Sequence, residues 1–248
     1  MSLRFGQEIH ALSRRSATSE RLAVLRRIHV VAGVLIDERE RVLIAQRPAG
    51  KELAGGWEFP GGKLEPGEAR AQGLARELKE EIGVAIRHPR PLLRLRHEYS
   101  YGEILLDVWV VRRYHGRVRA LDGQALRWLP RAQLASAELL PADRPIVAAL
   151  HLPQRLRQRR APHYRVGNLR VLEERAEAGS RLCGVECGSA AESAAAAEKG
   201  ADFLVLRGVL DEEELKTLCE GVAVPVYARG LTPERAWGLG ASGINAIT

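Results

Sequence analysis

The sequence predicts an α/β chain in two parts, and three observations carry that reading. From Ile28 a near-continuous β-branched run, IHVVAGVLI, is followed after a DERER turn by a second apolar run, VLIAQR; short runs of this kind, bounded by turn residues, are strands of a buried sheet. Between Pro66-Gly67 and Gly83 the apolar residues Ala71, Leu74, Ala75, Leu78 and Ile82 recur at the spacing of one helix face, with Gly83 placed as a C-cap. Past residue 167 the composition shifts towards Ala, Gly and Val, and short strands alternate with helices in a repeat of roughly 20 residues, the pattern of parallel βα units.

Taken in order, residues 1–27 form a weakly periodic, arginine-containing extension that is expected to be helical. The two apolar runs that follow read as a hairpin. The next connection, PAGKELAGGWEFPGG, is Gly-rich and too long for a hairpin loop, which marks it as functional. After the helix, PLLRLRHEYSYGEILLDVWVV alternates well enough for two more strands, Arg127 to Leu129 form a short one, and a last helix is entered after Pro141. Residues 28–150 thus make one domain. Residues 151–167 are expected to be a linker: Arg155, Arg157, Arg159, Arg160 and Arg165 occur there with no acid between them. That cluster lacks the interleaved aromatics of a single-strand binder, so a solvated segment is expected in place of a specific nucleic-acid site. Residues 168–248 carry four strand–helix units, half of what a (β/α)8 barrel needs, and this tail cannot close a barrel alone. Its exposed edges make a homodimer an expectation.

Composition sets the outer limits. The chain has 248 residues, 46% of them hydrophobic, and no apolar run long enough to span a membrane. Its first 20 residues lack the apolar core of an export signal, so a soluble cytoplasmic protein is expected. Cys183, Cys187 and Cys219 are too few and too unevenly spaced for a disulfide framework or a zinc site. The net charge of +7 suits a polyanionic small substrate.

The chemistry concentrates on the helix before Gly83. At about 100° per residue, Glu77, Glu80 and Glu81 fall within roughly a third of its circumference, away from the Leu74/Leu78 stripe. Crowding like charges costs helix stability, and a hard cation that wants oxygen ligands is the usual reason to tolerate it. Mg²⁺ fits best, and because it is typically shared between one or two carboxylates and substrate phosphates, a phosphate-bearing substrate is implied. A solvated helix face would explain RELKEE alone, but Gly62, Glu68, Arg76, Glu77, Leu78, Glu80, Glu81, Gly83 and Val84 together satisfy G-x5-E-x7-R-E-U-x-E-E-x-G-U, where U is a bulky aliphatic.

This stretch resembles the Nudix hydrolase signature at every specified position. The resemblance implies an α/β/α sandwich around a mixed sheet and Mg²⁺- or Mn²⁺-dependent hydrolysis of a nucleoside diphosphate linked to another group. It implies Glu77, Glu80 and Glu81 as metal ligands with the Gly61 carbonyl, Arg76 orienting the carboxylates, and Glu68 in support. The run WEFPGGK at Trp57 to Lys63, preceded by Arg47, is similar to the MutT-type branch, whose members hydrolyse nucleoside triphosphates and in particular oxidised guanine nucleotides. Arg47, Phe59 and Lys63 would then contact substrate, and Glu58 would help hold metal or water; a surface residue at a strand end is the plainer reading of Arg47. In that family a Glu-Gly-Gln precedes the Trp strand and adds a metal ligand or base. Here the triplet is Asp122-Gly123-Gln124, and Asp122 is either that ligand or a turn residue. Asp143 matches the place of the base-reading residue and also suits a helix cap before Pro145.

The tail resembles the C-terminal half of thiamine phosphate synthase, in GVECGSAAE, EKGADFLVLRGV, VPVYARGLTPE and GASGINAI. It departs where that family has a His, here Gly188, and a Gly-Gly phosphate grip, here Arg229-Gly230, which implies a degenerate half-barrel without synthase activity. GLGASG at Gly238 to Gly243 fits a dinucleotide-binding pattern but follows a helix and precedes a strand, the reverse of the required turn. The expected activity is conversion of 8-oxo-dGTP to 8-oxo-dGMP and pyrophosphate. The alternatives are hydrolysis of a thiamine-pathway diphosphate, or a non-catalytic ligand-binding scaffold for the half-barrel.

Overall fold

The computed structural model describes residues 27–50, 52–100, 102–175 and 181–247. The helix expected in residues 1–27 lies outside them apart from Arg27. The first half is built on strand β1 (Ile28–Leu35), which pairs antiparallel with β4 (Gly61–Lys63) and parallel with β7 (Gly102–Val111), itself antiparallel to β6 (Arg90–Tyr99). The sheet is therefore mixed, in the order β4-β1-β7-β6. A second, antiparallel sheet joins β2 (Arg41–Gln46) to β3 (Trp57–Glu58) and β9 (Leu126–Pro130), and β5 (Ala85–Arg87) pairs with β8 (Arg113–His115).

The continuous apolar run of β1 is buried on both faces, as expected of a central strand. Its alternation sends Val31 and Leu35 to a core with Leu74, Leu78 and Ile82 of helix α1 (Arg70–Ile82). Ala32, Val34 and Ile36 go to the opposite core with Ile146 and Ala149 of helix α2 (Arg144–His151). One helix on each face gives the expected sandwich. Gly83 closes α1 with φ 74, its N–H bonding back to Lys79 O and that of Val84 to Leu78 O.

The expected β1–β2 hairpin is not a ladder. The two strands share one bridge, Ile36 to Val42, and then part into different sheets. The turn itself is as expected, since Asp37 accepts from the backbone N–H of Arg39 and Arg41. What sequence periodicity does not reveal is that β2 finds better partners in β3 and β9, far along the chain.

The second half carries a seven-stranded sheet, β10-β16-β15-β14-β13-β12-β11. Its strands are β10 (Arg155–Leu156), β11 (Arg160–Ala161), β12 (Tyr164–Gly167), β13 (Leu182–Cys187), β14 (Phe203–Leu206), β15 (Val226–Ala228) and β16 (Gly243–Asn245). All pairs are parallel except β11–β12. Helices α3 (Arg170–Glu173), α4 (Ala190–Glu198), α5 (Glu212–Gly221) and α6 (Pro233–Gly238) intervene. Alternate residues split here too: Leu204, Leu206, Val226 and Ala228 face the helices, whereas Phe203, Val205 and Tyr227 join Tyr164 and Leu156 on the other side. Tyr164, Phe203 and Tyr227 meet edge to face at 6.0 and 5.7 Å.

Residues 151–167 are accordingly not a linker. They supply three strands, and two of their five arginines are paired with acids outside the segment: Arg159 with Glu186 and Arg165 with Glu174. The arginine count hid the strand alternation of Tyr164 and Val166 around Arg165. The tail packs on β6, where the Arg94 N–H donates to Gly240 O and the Arg94 side chain pairs with Glu220. Among the described residues no helix is long and apolar enough to cross a membrane, and the three cysteines are buried free thiols.

Candidate active site

Helix α1 presents its glutamates to the mouth of β4, and the reason is local. A Cβ at Gly61 would come within 2.1 Å of Val31 O, so only glycine lets β4 lie against β1 there. A Cβ at Gly62 would come within 2.2 Å of Glu77 Oε2. The glycine pair therefore clears the space in which a helix carboxylate sits. The Gly61 N–H donates to Glu81 Oε2 at 2.8 Å, fixing that side chain against the strand.

Arg76 organises the rest. It donates to Glu68 through Nε and Nη2, at 3.0 and 2.9 Å, to Glu77 at 2.8 Å, to Glu80 at 3.2 Å and to Lys63 O at 3.1 Å. Its guanidinium is held firmly in the charged form by those carboxylates, Glu68 first. The same hydrogen bond draws the Glu68 carboxyl below its usual range. Glu68 is thus tied to the site through Arg76.

These groups border a cleft of about 700 Å³. Arg47, Glu58, Phe59, Gly61, Lys63, Glu77, Glu80, Glu81, Asp122 and Asp143, all expected from the sequence, line it; Arg76 stands behind its acidic wall. Arg47 is no free surface residue. Its side chain is 23% exposed and donates to Glu58 at 2.8 Å, while its Nε is buried without a hydrogen-bond partner. Asp143 stands at the N-cap position of α2 but makes no cap bond with its side chain; its backbone N–H donates to Leu140 O. Burial, reinforced by the Glu58 charge, pushes the Asp143 carboxyl well above the usual carboxylate range, against the opposing pull of Arg47 and the Phe59 N–H.

Sequence reasoning missed Tyr99, Ile104, Leu106 and Ala142, which complete an apolar wall opposite the glutamates. Tyr99 accepts from the Ala142 N–H, and its only signal was strand alternation. Gln124 was also missed as a support. Its Nε2 donates to Glu81 O and its Oε1 accepts from the Asp122 N–H, tying the Asp122 loop to the C-terminal end of α1.

The donor set fits a hard divalent cation: carboxylate oxygens and a backbone carbonyl, with neither sulfur nor imidazole among the cleft residues. Among the described residues no three acidic, His or Cys side chains converge on one point. The Glu77 carboxylate already lies beside Gly62, and both it and Glu80 accept from Arg76.

Comparisons with known proteins bear on the first half of the chain. The NUDIX domain family model matches residues 31–149. The chain is 39% identical over 125 residues to the CTP pyrophosphohydrolase of Escherichia coli (strain K12), covering 50% of this chain and 92% of that protein. It is 32% identical over 126 residues to the 8-oxo-dGTP diphosphatase of the same strain, covering 51% and 98%. A solved MutT structure, from work on Aliivibrio salmonicida and Vibrio cholerae, is 34% identical with a TM-score of 0.44 over 49% of this chain and 94% of that one. With the signature residues gathered on one cleft and relatives covered almost end to end, the chain belongs to the Nudix hydrolase family and is an enzyme of that family.

Proposed function

We propose that this chain hydrolyses a nucleoside triphosphate to the monophosphate and pyrophosphate, with 8-oxo-dGTP as its preferred substrate. The observation that carries the reading is one cleft with a carboxylate wall at Glu77, Glu80 and Glu81, cations at Arg47 and Lys63, and an apolar wall ending at Asp143. Glu77, Glu80 and Glu81, with the Gly61 carbonyl and Asp122, are the groups that would hold Mg²⁺ or Mn²⁺. The ion supplies charge neutralisation at the phosphates and a lowered pKa for the attacking water. Arg76 holds the glutamates in register, and Arg47 and Lys63 offset the triphosphate charge. Glu58 would hold the water that cleaves the α–β phosphoanhydride; the water oxygen joins one of the two phosphates, the bridging oxygen stays on the other, and one proton of the water is released as nucleoside monophosphate and pyrophosphate separate.

Base choice falls to Phe59 and Asp143. A carboxyl kept neutral by burial offers one O–H donor and one carbonyl acceptor, the same pair that an amide side chain offers. Such a pair can meet the Watson–Crick edge of an oxidised guanine. It can also meet a cytosine edge, and the 39% identity to a CTP pyrophosphohydrolase makes cytidine triphosphate the second reading. The tail is read as a degenerate relative of thiamine phosphate synthase without synthase activity, on its parallel strand order and on Arg229, whose guanidinium donates to Ile247 O.

The test compares kcat/KM for Mg²⁺-dependent pyrophosphate release from 8-oxo-dGTP, dGTP and CTP. A preference of at least tenfold for 8-oxo-dGTP, about 1.4 kcal/mol of differential transition-state binding, is expected. A preference of that size for CTP would replace the first reading by the second.

A further inference from the structure

A second cleft, of about 520 Å³, lies between the Nudix domain and the tail and shares no lining residue with the catalytic one. Its charged rim comes from the first half: Arg90 of β6, Arg112, and Arg113 of β8, with Arg131 from the turn after β9. Glu40 answers two of these four cations, pairing with Arg112 and with Arg131. Among the described residues, Arg90 and Arg113 have no acidic partner. Arg90 lies flat over the Trp237 ring at 4.6 Å and is half-buried, so its charge has lost water without gaining a counter-ion. Burial, and then the neighbouring Arg112 charge, draw its guanidinium below the ordinary arginine value.

Two further polar atoms in the wall are orphaned. Ser242, contributed by the tail, is 5% exposed and its Oγ has no hydrogen-bond partner, and the buried Nε of Arg131 has none either. Those two atoms have no open face on the cleft, so the groups that reach it without a counter-ion are Arg90 and Arg113, and they call for an acceptor-rich anion. The rest of the wall is apolar, with Leu92, Val110, Leu150 and Pro153. The volume lies within the range of small-molecule pockets and is far larger than one phosphate group requires.

We propose that this cleft binds a phosphorylated small molecule with an apolar body, its phosphate held by Arg90 and Arg113 and its seat closed by Ser242 of the tail. The arginines belong to one half and the serine to the other, so the ligand bridges the two. The site stands apart from the substrate reading above, because no residue of the catalytic cleft takes part.

The test is calorimetric titration of the full chain with AMP in EDTA, where AMP serves as a phosphate monoester whose flat ring can pack against the apolar wall. One saturable site is expected, weakened at least tenfold in Arg113→Ala and unchanged in Arg47→Ala, which removes a cation from the catalytic cleft. Arg113 is exposed on β8 and its loss leaves the core untouched, which circular dichroism checks. No saturable heat below about 1 mM AMP with folded protein overturns the proposal. So does an affinity that falls in Arg47→Ala and survives Arg113→Ala, which assigns the AMP to the catalytic cleft.

Discussion

Asp143 is the residue whose chemistry departs furthest from its sequence appearance. In the folded chain its carboxyl stays protonated above the pH at which the unfolded chain releases that proton. Between the unfolded pKa, near 4, and the raised folded value the native state binds more protons, so its stability falls as pH rises through that window. Asp143→Asn removes this slope while keeping shape and hydrogen-bonding capacity. The difference in urea midpoint between variant and wild type should grow in the variant's favour from pH 4 upward; a constant difference would mean that Asp143 is ionised in the fold. The acidic triad was legible from residue type and helical spacing, whereas Arg76 and Arg47 came only from the family resemblance. The protonation of Asp143 was not legible, since it depends on burial and on Glu58, which lies far away in the sequence. Gln124 was invisible for a similar reason: its value is one hydrogen bond to Glu81 O across a loop.

Strand β4 shows how two adjacent glycines differ at the level of an element. At Gly61 an added methyl meets backbone, Val31 O and Ala32 Cα, which cannot move without breaking the β1–β4 ladder. Gly61→Ala should cost about 2 kcal/mol or more in chemical denaturation. At Gly62 the added methyl meets only the end of the Glu77 side chain, which can swing away. Gly62→Ala should leave stability within about 1 kcal/mol while raising the Mg²⁺ concentration needed for half-maximal rate several-fold; an unchanged metal requirement would remove Glu77 from the ligand set. Helix α1 was legible to within a residue, because Leu74, Leu78 and Ile82 carry a clear period and Gly83 a clear stop. Strand pairing was not. The Val42–Ala45 run looks the same whether it partners β1 or β9, and β12 was masked by its own Arg165.

For the whole molecule the decisive contact is Arg94, 6% exposed, which reaches from Asp107 in the mixed sheet to Glu220 on α5. Asp107 also receives His29 and Arg70, so its charge remains answered without Arg94, whereas the tail loses its one buried ionic tie among the described residues. Arg94→Met should destabilise the chain by roughly 3 kcal/mol in urea. All three thiols lie in the tail core, and burial pushes Cys219 up to about 12; a thiol reagent should therefore titrate none of them until the tail unfolds. Hydrolysis is assigned to the Glu77–Glu81 face with a divalent metal. Pyrophosphate release from a nucleoside triphosphate with and without Mg²⁺, in wild type and in Glu80→Gln, tests it most directly. Glu80 is 63% exposed, so the variant folds. A wild-type rate that requires Mg²⁺ and falls by about two orders of magnitude or more in Glu80→Gln is the expected result. Near-normal turnover by that variant, at the same Mg²⁺ concentration, would contradict it.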